Sequence, residues 1–326
     1  MLFANDYAAI DGILRVQCIS QKGIARRSDA FLFSIDDRVV LLDAGLPEVP
    51  YALASLLEKR ASFLKGHEEL LEKKDVKLRI TWIASHMHID HIGAFMESIA
   101  SCPYIYVEKA YLPPRTSYFD PELSPDWDGD YKYRDRIAEA FRSYQGDCQI
   151  IDIPFRDEGA ISFSESSSEF VILPPVCDWG EAGRADLCRE LYAKEQAKSL
   201  PISITNANSL WLLIRYCGRS FLFTGDSMKK TERSDESFDM MLERWGSEIG
   251  RPDAVKYPHH GILRDEAARG VLSLDPDYVI YNAIDTTADS AIESIRKGSV
   301  RHVRIGYSDA LFTVMPSGDL SLEGGV

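Results

Sequence analysis

The chain has 326 residues, 45% of them hydrophobic and 27% charged, which is ordinary globular composition and length enough for one large α/β domain or two small ones. Its net charge of −14, from 51 acidic and 37 basic residues, argues against gripping a long nucleic-acid duplex, a task done largely by Lys and Arg. No run approaches the roughly 20 apolar residues that cross a bilayer. The start, MLFANDYAAIDGILRV, lacks the basic-then-apolar order of a secretory leader, and six scattered cysteines without a CxxC pair read as free thiols in a reducing cytoplasm.

Extended, β-branched and aromatic runs come first, over Ile13–Ser20, Ala30–Ile35 and Arg38–Asp43, with Asp36-Asp37 as a tight hairpin turn. Leucines at near-helical spacing predict a helix from Tyr51 to Leu71, and LRITWIAS (Leu78–Ser85) predicts a buried strand followed by a helix over Ile92–Ala100. Residues 103–160, rich in Tyr and Pro and carrying an amphipathic helix near Asp135–Tyr144, read as an insertion in a single domain spanning 1–326. Strands resume at Gln149–Ile153 and Phe170–Leu173. A helical stretch (Ala182–Lys198) precedes a hairpin, Ser209–Tyr216 and Ser220–Phe223, turned by Cys217-Gly218-Arg219. Helices around Ser237–Trp245, Arg264–Leu272 and Ala288–Lys297 then alternate with strands at Ala254–Tyr257 and Tyr278–Asn282, and short strands follow near Val303–Gly306, Leu311–Val314 and Leu320–Leu322. Two strand-rich halves, each with helices, predict two sheets packed face to face between outer helices.

The chemistry concentrates in Ser85-His86-Met87-His88-Ile89-Asp90-His91-Ile92-Gly93. Of seven histidines in the chain, three fall in this window, between a buried strand and an apolar helix, where a solvated histidine patch has no reason to be. His86 and His88, two apart at a strand end, point to one side, and Asp90 and His91 follow where the chain turns. Imidazole and carboxylate together suit zinc, manganese or iron better than calcium or magnesium. His67 and His302 lie outside any motif.

The HxHxDH window resembles the signature of the metallo-β-lactamase superfamily. Leu41-Leu42-Asp43-Ala44-Gly45, Phe221-Leu222-Phe223-Thr224-Gly225-Asp226 and Val255-Lys256-Tyr257-Pro258-His259-His260-Gly261 resemble that family's further motifs in the right order. The resemblance covers about Val16 to Val314 and implies an α/β fold, an αββα sandwich of two packed mixed sheets. The wording of the later motifs, with Asn206-Ala207-Asn208-Ser209-Leu210 before them, is similar to the hydrolase domain of ComEC/Rec2 competence proteins. The resemblance implies that His86 and His88 hold one divalent metal and that Asp90 and His91 hold a second, helped by His259 or His260. Because neighbouring residues at a strand end point in opposite directions, one of that pair is expected to bind, His259 for preference. Asp226 would bridge the ions, and Asp43 would orient a ligand histidine from behind.

One departure stands out. The third histidine that the family supplies to the first metal is missing, since no histidine lies between His91 and Asp226. The corresponding stretch, Val171 to Asp178, offers Cys177 or Asp178 instead, so the expectation is one or two ions. The implied activity is a metal-dependent hydrolase using a metal-bound hydroxide, with Asp90 taking the water proton and the spare member of His259/His260 protonating the leaving group. The substrate class expected first is a small or single-stranded phosphodiester, on which Tyr104, Tyr106, Tyr111, Tyr118 and Trp127 would stack bases. A lactone, thioester or other ester is the alternative, and a non-catalytic metal-binding protein the third reading.

Overall fold

A computed structural model describes all of the chain except residues 1, 8–9, 21–27, 74, 115–128, 156–158, 177–204, 228–235, 263–264, 284–287, 296–298, 307 and 326. Among the described residues no helix is long and apolar enough to cross a membrane.

The first sheet is built on an antiparallel meander. After the two-residue β1 (Leu2–Phe3), the strands β2 (Leu14–Cys18), β3 (Ala30–Ile35) and β4 (Arg38–Asp43) run back and forth. Asp36, at φ 48, makes the expected hairpin turn between β3 and β4. Helix α1 (Tyr51–Lys65) crosses over to β5 (Val76–Ile83), which pairs with β4 in parallel. The chain then passes through α2 (Ile89–Ala94), continued by one wider turn over Phe95–Ile99, to β6 (Ile105–Leu112), parallel to β5. Helix α3 (Gly129–Ala140) precedes β7 (Gln149–Asp152), again parallel to its neighbour.

The second sheet repeats this plan. Strands β8 (Ile161–Glu165), β9 (Ser168–Leu173), β10 (Trp211–Tyr216) and β11 (Arg219–Phe223) are antiparallel. Helix α4 (Glu236–Ile249) leads to β12 (Ala254–Lys256), α5 (Asp265–Ser273) to β13 (Tyr278–Tyr281) and α6 (Asp289–Ser294) to β14 (Arg301–Arg304), all three strands parallel. The hairpin β15 (Ala310–Val314) and β16 (Leu320–Gly324) returns to the first sheet and pairs with β2.

Burial follows this layering. β3 and β4 are buried on both faces, which is why AFLFSI and VVLLD read as continuous apolar runs without strict alternation. Between the sheets, Phe33 packs edge-on against Phe170 and Phe223, at 6.1 and 5.1 Å between centroids. A second core lies between the first sheet and its helices, where Trp82 stacks on Phe95, and a third lies under α4 and α5. Each fully buried Phe contributes about 1.5–3 kcal/mol through the apolar area it withdraws from water.

Two sequence expectations change. Residues 105–112, expected within an insertion, form β6 inside the first sheet; the burial of Ile105, Val107 and Ala110–Leu112 shows core strand pattern where the Tyr-rich composition suggested a surface loop. The helix after the histidine window also starts earlier, at Ile89, so Asp90 and His91 occupy its first turn. The helical stretch expected over 182–198 lies outside the described residues.

Candidate metal centre

In each sheet antiparallel pairing gives way to parallel pairing, at β4–β5 in one and at β11–β12 in the other. All the motif residues leave these four strand ends. Asp43 is the last residue of β4, Ser85 to His91 follow β5, Thr224-Gly225-Asp226 follow β11, and His259-His260 follow β12.

The loops are locked together by backbone. Leu210 donates its N–H to Ser85 O across the sheets at 2.8 Å, and Ala44 N and Gly45 N both reach His91 O. Gly225 sits at φ 55 with Ser209 and Ser85 so close that an added Cβ would meet them at 2.9 and 3.2 Å, so only glycine allows this approach. Non-glycine residues in the left-handed region are few, yet Asp43 (φ 57), His259 (φ 51) and His260 (φ 55) are among them. Strain of this kind costs about 1–3 kcal/mol per residue and persists where surrounding structure over-determines it.

Asp43 acts from behind. Its Oδ1 accepts the Ser85 N–H at 2.7 Å, and its Oδ2 accepts from Ser85 Oγ at 2.8 Å and faces His91 Nδ1 at 2.8 Å. That bond turns the His91 Nε2 inward. His86 Nδ1 faces Ser85 Oγ at 3.0 Å, and its Nε2 stands 3.0 Å from His88 Nδ1. Ligand atoms of a tetrahedral shell with bonds of ~2.0 Å lie about 3.3 Å apart, so this pair has the spacing to share an ion.

Asp226 Oδ2 is the point of convergence. His260 Nε2 stands 3.3 Å from it, His91 Nε2 3.4 Å, and His86 Nε2 and His259 Nε2 4.0 Å each. His260 Nε2 is also 3.3 Å from Asp90 Oδ2. The Nε2 atoms of His88, His91 and His260 are buried without a properly formed hydrogen bond. Buried nitrogens normally find hydrogen-bond partners, so the His91 and His260 orphans, converging on one carboxylate oxygen, fit a cation.

The expectation for the final histidine pair is revised. His259 and His260 do not continue a strand; they lie in a tight turn of left-handed backbone, so strand alternation does not separate their rings. His260, the most inward, joins Asp29, His91 and Asp226 in a buried group whose ligand atoms all lie within 4.8 Å of one another. His259, named first from sequence, is the more exposed at 24% and stays at the rim. Asp178 and Cys177 lie outside the described residues. His67 and His302 sit away from the centre, facing Phe63 O and the Tyr281 hydroxyl.

Asp29 and Lys256 were not singled out from sequence. Asp29 Oδ1 is 3.2 Å from His260 Nδ1, and its other oxygen forms an ion pair with Lys256. Each carried a signal. Asp29 immediately precedes the wholly buried β3, and Lys256 ends the buried β12, where a charge must have a buried partner.

Electrostatics divide the imidazoles. Burial alone would depress His91, but Asp226 and Asp43 lift it to about 10. Burial is likewise overcome at His260, which Asp226 and Asp29 raise well above the ordinary histidine value. His86 and His88 have no comparable carboxylate support; burial, reinforced at His86 by its neighbouring imidazoles, holds both down, and burial takes His259 to about 4. Burial would raise Asp90, but His260 and His91 bring it to about 2. In chemical terms the cluster is a set of histidines and carboxylates that could hold a cation, with Asp90 and His259 toward its open side.

No protein-family model and no curated protein matches the sequence. Solved structures do. The metallo-β-lactamase fold protein YhfI from Bacillus subtilis is 14% identical, covering 93% of this chain and 99% of its own, with a TM-score of 0.46. A diphosphatase of the PhnP family is 10% identical over 91% of this chain and 96% of its own, with a TM-score of 0.45. Zinc-bound PqqB from Methylobacterium extorquens is 11% identical over 91% and 99%, with a TM-score of 0.41. The likeness is one of fold, two packed mixed sheets between helices.

Proposed function

We propose that the protein is a metal-dependent hydrolase of phosphodiesterase or nuclease type, related to the hydrolase domain of ComEC/Rec2 competence proteins and acting on small or single-stranded phosphodiesters. The observation that carries this reading is the convergence of the orphaned His91 and His260 Nε2 atoms on Asp226 Oδ2, at the carboxyl ends of strands from both sheets. His91, His260, Asp90 and Asp226 would hold one divalent ion, with zinc the first choice and manganese or iron the alternatives. His86 and His88 would hold a second, sharing Asp226. A divalent ion bound here supplies Lewis acidity and lowers the pKa of its water from 15.7 to about 7.

The chain's own residues do the rest. Asp226 presents one oxygen to the imidazoles and Asp43 fixes the His91 tautomer, so the ligand set is pre-organised. Asp90 is ionised and partly open to solvent, placed to accept a proton from an attacking water. His259, at the rim, is placed to contact the substrate and pass a proton to the leaving oxygen.

The test combines metal analysis with a screen of aryl phosphodiester and aryl carboxylic-ester chromogens, for the wild type and His91→Ala. One to two ions per chain and phosphodiester turnover lost in the variant are expected. Turnover of esters alone would replace the substrate class, and a wild type that binds no divalent ion would overturn the reading.

A further inference from the structure

Asp29 and Lys256 are deeply buried, face the centre, and are given no role by the hydrolase reading. Their bonding defines what they can do. The Lys256 ammonium donates to Gly225 O at 2.7 Å and to Asp226 Oδ1 at 3.3 Å, and forms an ion pair with the Asp29 carboxylate.

Asp29 is equally committed. One oxygen meets Lys256 and the other meets His260 Nδ1. Its backbone is anchored too, with its N–H on Asp90 O at 3.2 Å, while the neighbouring Ser28 Oγ reaches the same carbonyl at 2.8 Å. The arrangement parallels Asp43 and His91: a buried carboxylate behind Nδ1, and Nε2 left facing Asp226.

We propose that Asp29 and Lys256 form a positioning clamp for the metal centre, in which Asp29 orients His260 from behind and Lys256 ties up one Asp226 oxygen so that the other alone is offered to metal. This rests on the hydrolase reading for the presence of the ion. It assigns Asp29, although close enough to count among possible ligands, to the shell behind them. Carboxylates that orient a ligand histidine typically change metal affinity by about 10–100-fold.

The experiment compares wild type, Asp29→Asn, Lys256→Met, the double variant and His260→Ala. Zinc affinity is read by chelator competition, cobalt(II) absorption serves as a ligand-field probe, and thermal melting of the chelator-treated protein reads the fold. Asp29→Asn keeps an oxygen for the His260 N–H, and the double variant removes both buried charges together. Each single change is expected to lower both melting temperature and zinc affinity. The double variant is expected to regain melting temperature while holding its tighter zinc at least about tenfold more weakly than wild type and showing an altered cobalt spectrum.

A double variant with wild-type zinc affinity and spectrum would reduce the clamp to mutual charge neutralisation and overturn the proposal. So would Asp29→Asn losing a whole ion as His260→Ala does, since Asp29 would then be a ligand. If the wild type takes up no zinc or cobalt, the hydrolase reading falls and the clamp with it. Wild-type binding with unaffected variants overturns the clamp alone.

Discussion

The two halves of the centre share Asp226 but are supported very differently. Around His91 and His260, each ring has a buried carboxylate at Nδ1, Asp43 and Asp29, and Asp90 stands 3.3 Å from His260. Around His86 and His88, the hydrogen-bonding neighbours among the described residues are the Ser85 hydroxyl and the two rings themselves, and no histidine lies in the intervening chain. Negative charge behind imidazole raises its basicity and holds a cation more firmly, whereas neutral neighbours supply geometry without charge. In the proposed centre the difference leaves the His86–His88 half with less negative charge behind it, so the centre should load in order, the carboxylate-backed half first.

The comparison is broken most decisively at the shared residue. Asp226→Asn removes the charge both halves use and leaves Lys256 facing an amide in place of a carboxylate. Loss of an ordered partner behind a ligand costs about 10–100-fold in affinity or activity, and loss of the shared ligand should exceed that range. Elemental analysis should find less than one tightly held ion, with turnover near background. Two retained ions would mean that Asp226 is not the junction.

A smaller effect sharpens the order of loading. Titrated with zinc against a chromogenic chelator, the wild type should fill in two steps. His86→Ala should keep the tighter step and lose the weaker, while His260→Ala should lose the tighter. The reverse pattern would place the stronger site at His86 and His88 and refute the argument from charge.

Much of this centre could be read from the chain. His86, His88, Asp90, His91, Asp43 and Asp226 sit in short motifs at the ends of apolar strands, and local sequence determines where strands end. What local sequence could not carry was long-range pairing. Asp29 meets His260 across 231 residues, a contact created by the packing of the two sheets. The preference for His259 rested on strand alternation, which does not extend into the left-handed turn where the pair lies. β6 went unseen because its tyrosines resemble loop composition, although its buried positions pair in register with β5.

The smallest effect expected concerns pH and separates the halves without any substrate. With metal stripped by a chelator, the His91 ring is protonated on both nitrogens, Nδ1 facing Asp43 and Nε2 facing Asp226, and its pKa in the folded protein is about 10 against roughly 6.5 unfolded. A group raised on folding stabilises fully below its unfolded value, and that contribution is lost as pH rises through the folded value. His260 acts in the same sense, while His86 and His88, lowered by burial, contribute no such loss. The stripped protein should therefore melt a few degrees lower at pH 9.5 than at pH 6.5. His91→Gln should flatten that slope and His86→Gln should leave it intact. Zinc-loaded protein should not show it, because the ion takes the place of the proton. A stripped protein equally stable at both pH values would show that the carboxylates do not hold charge on His91, and the proposed order of loading would lose its electrostatic basis.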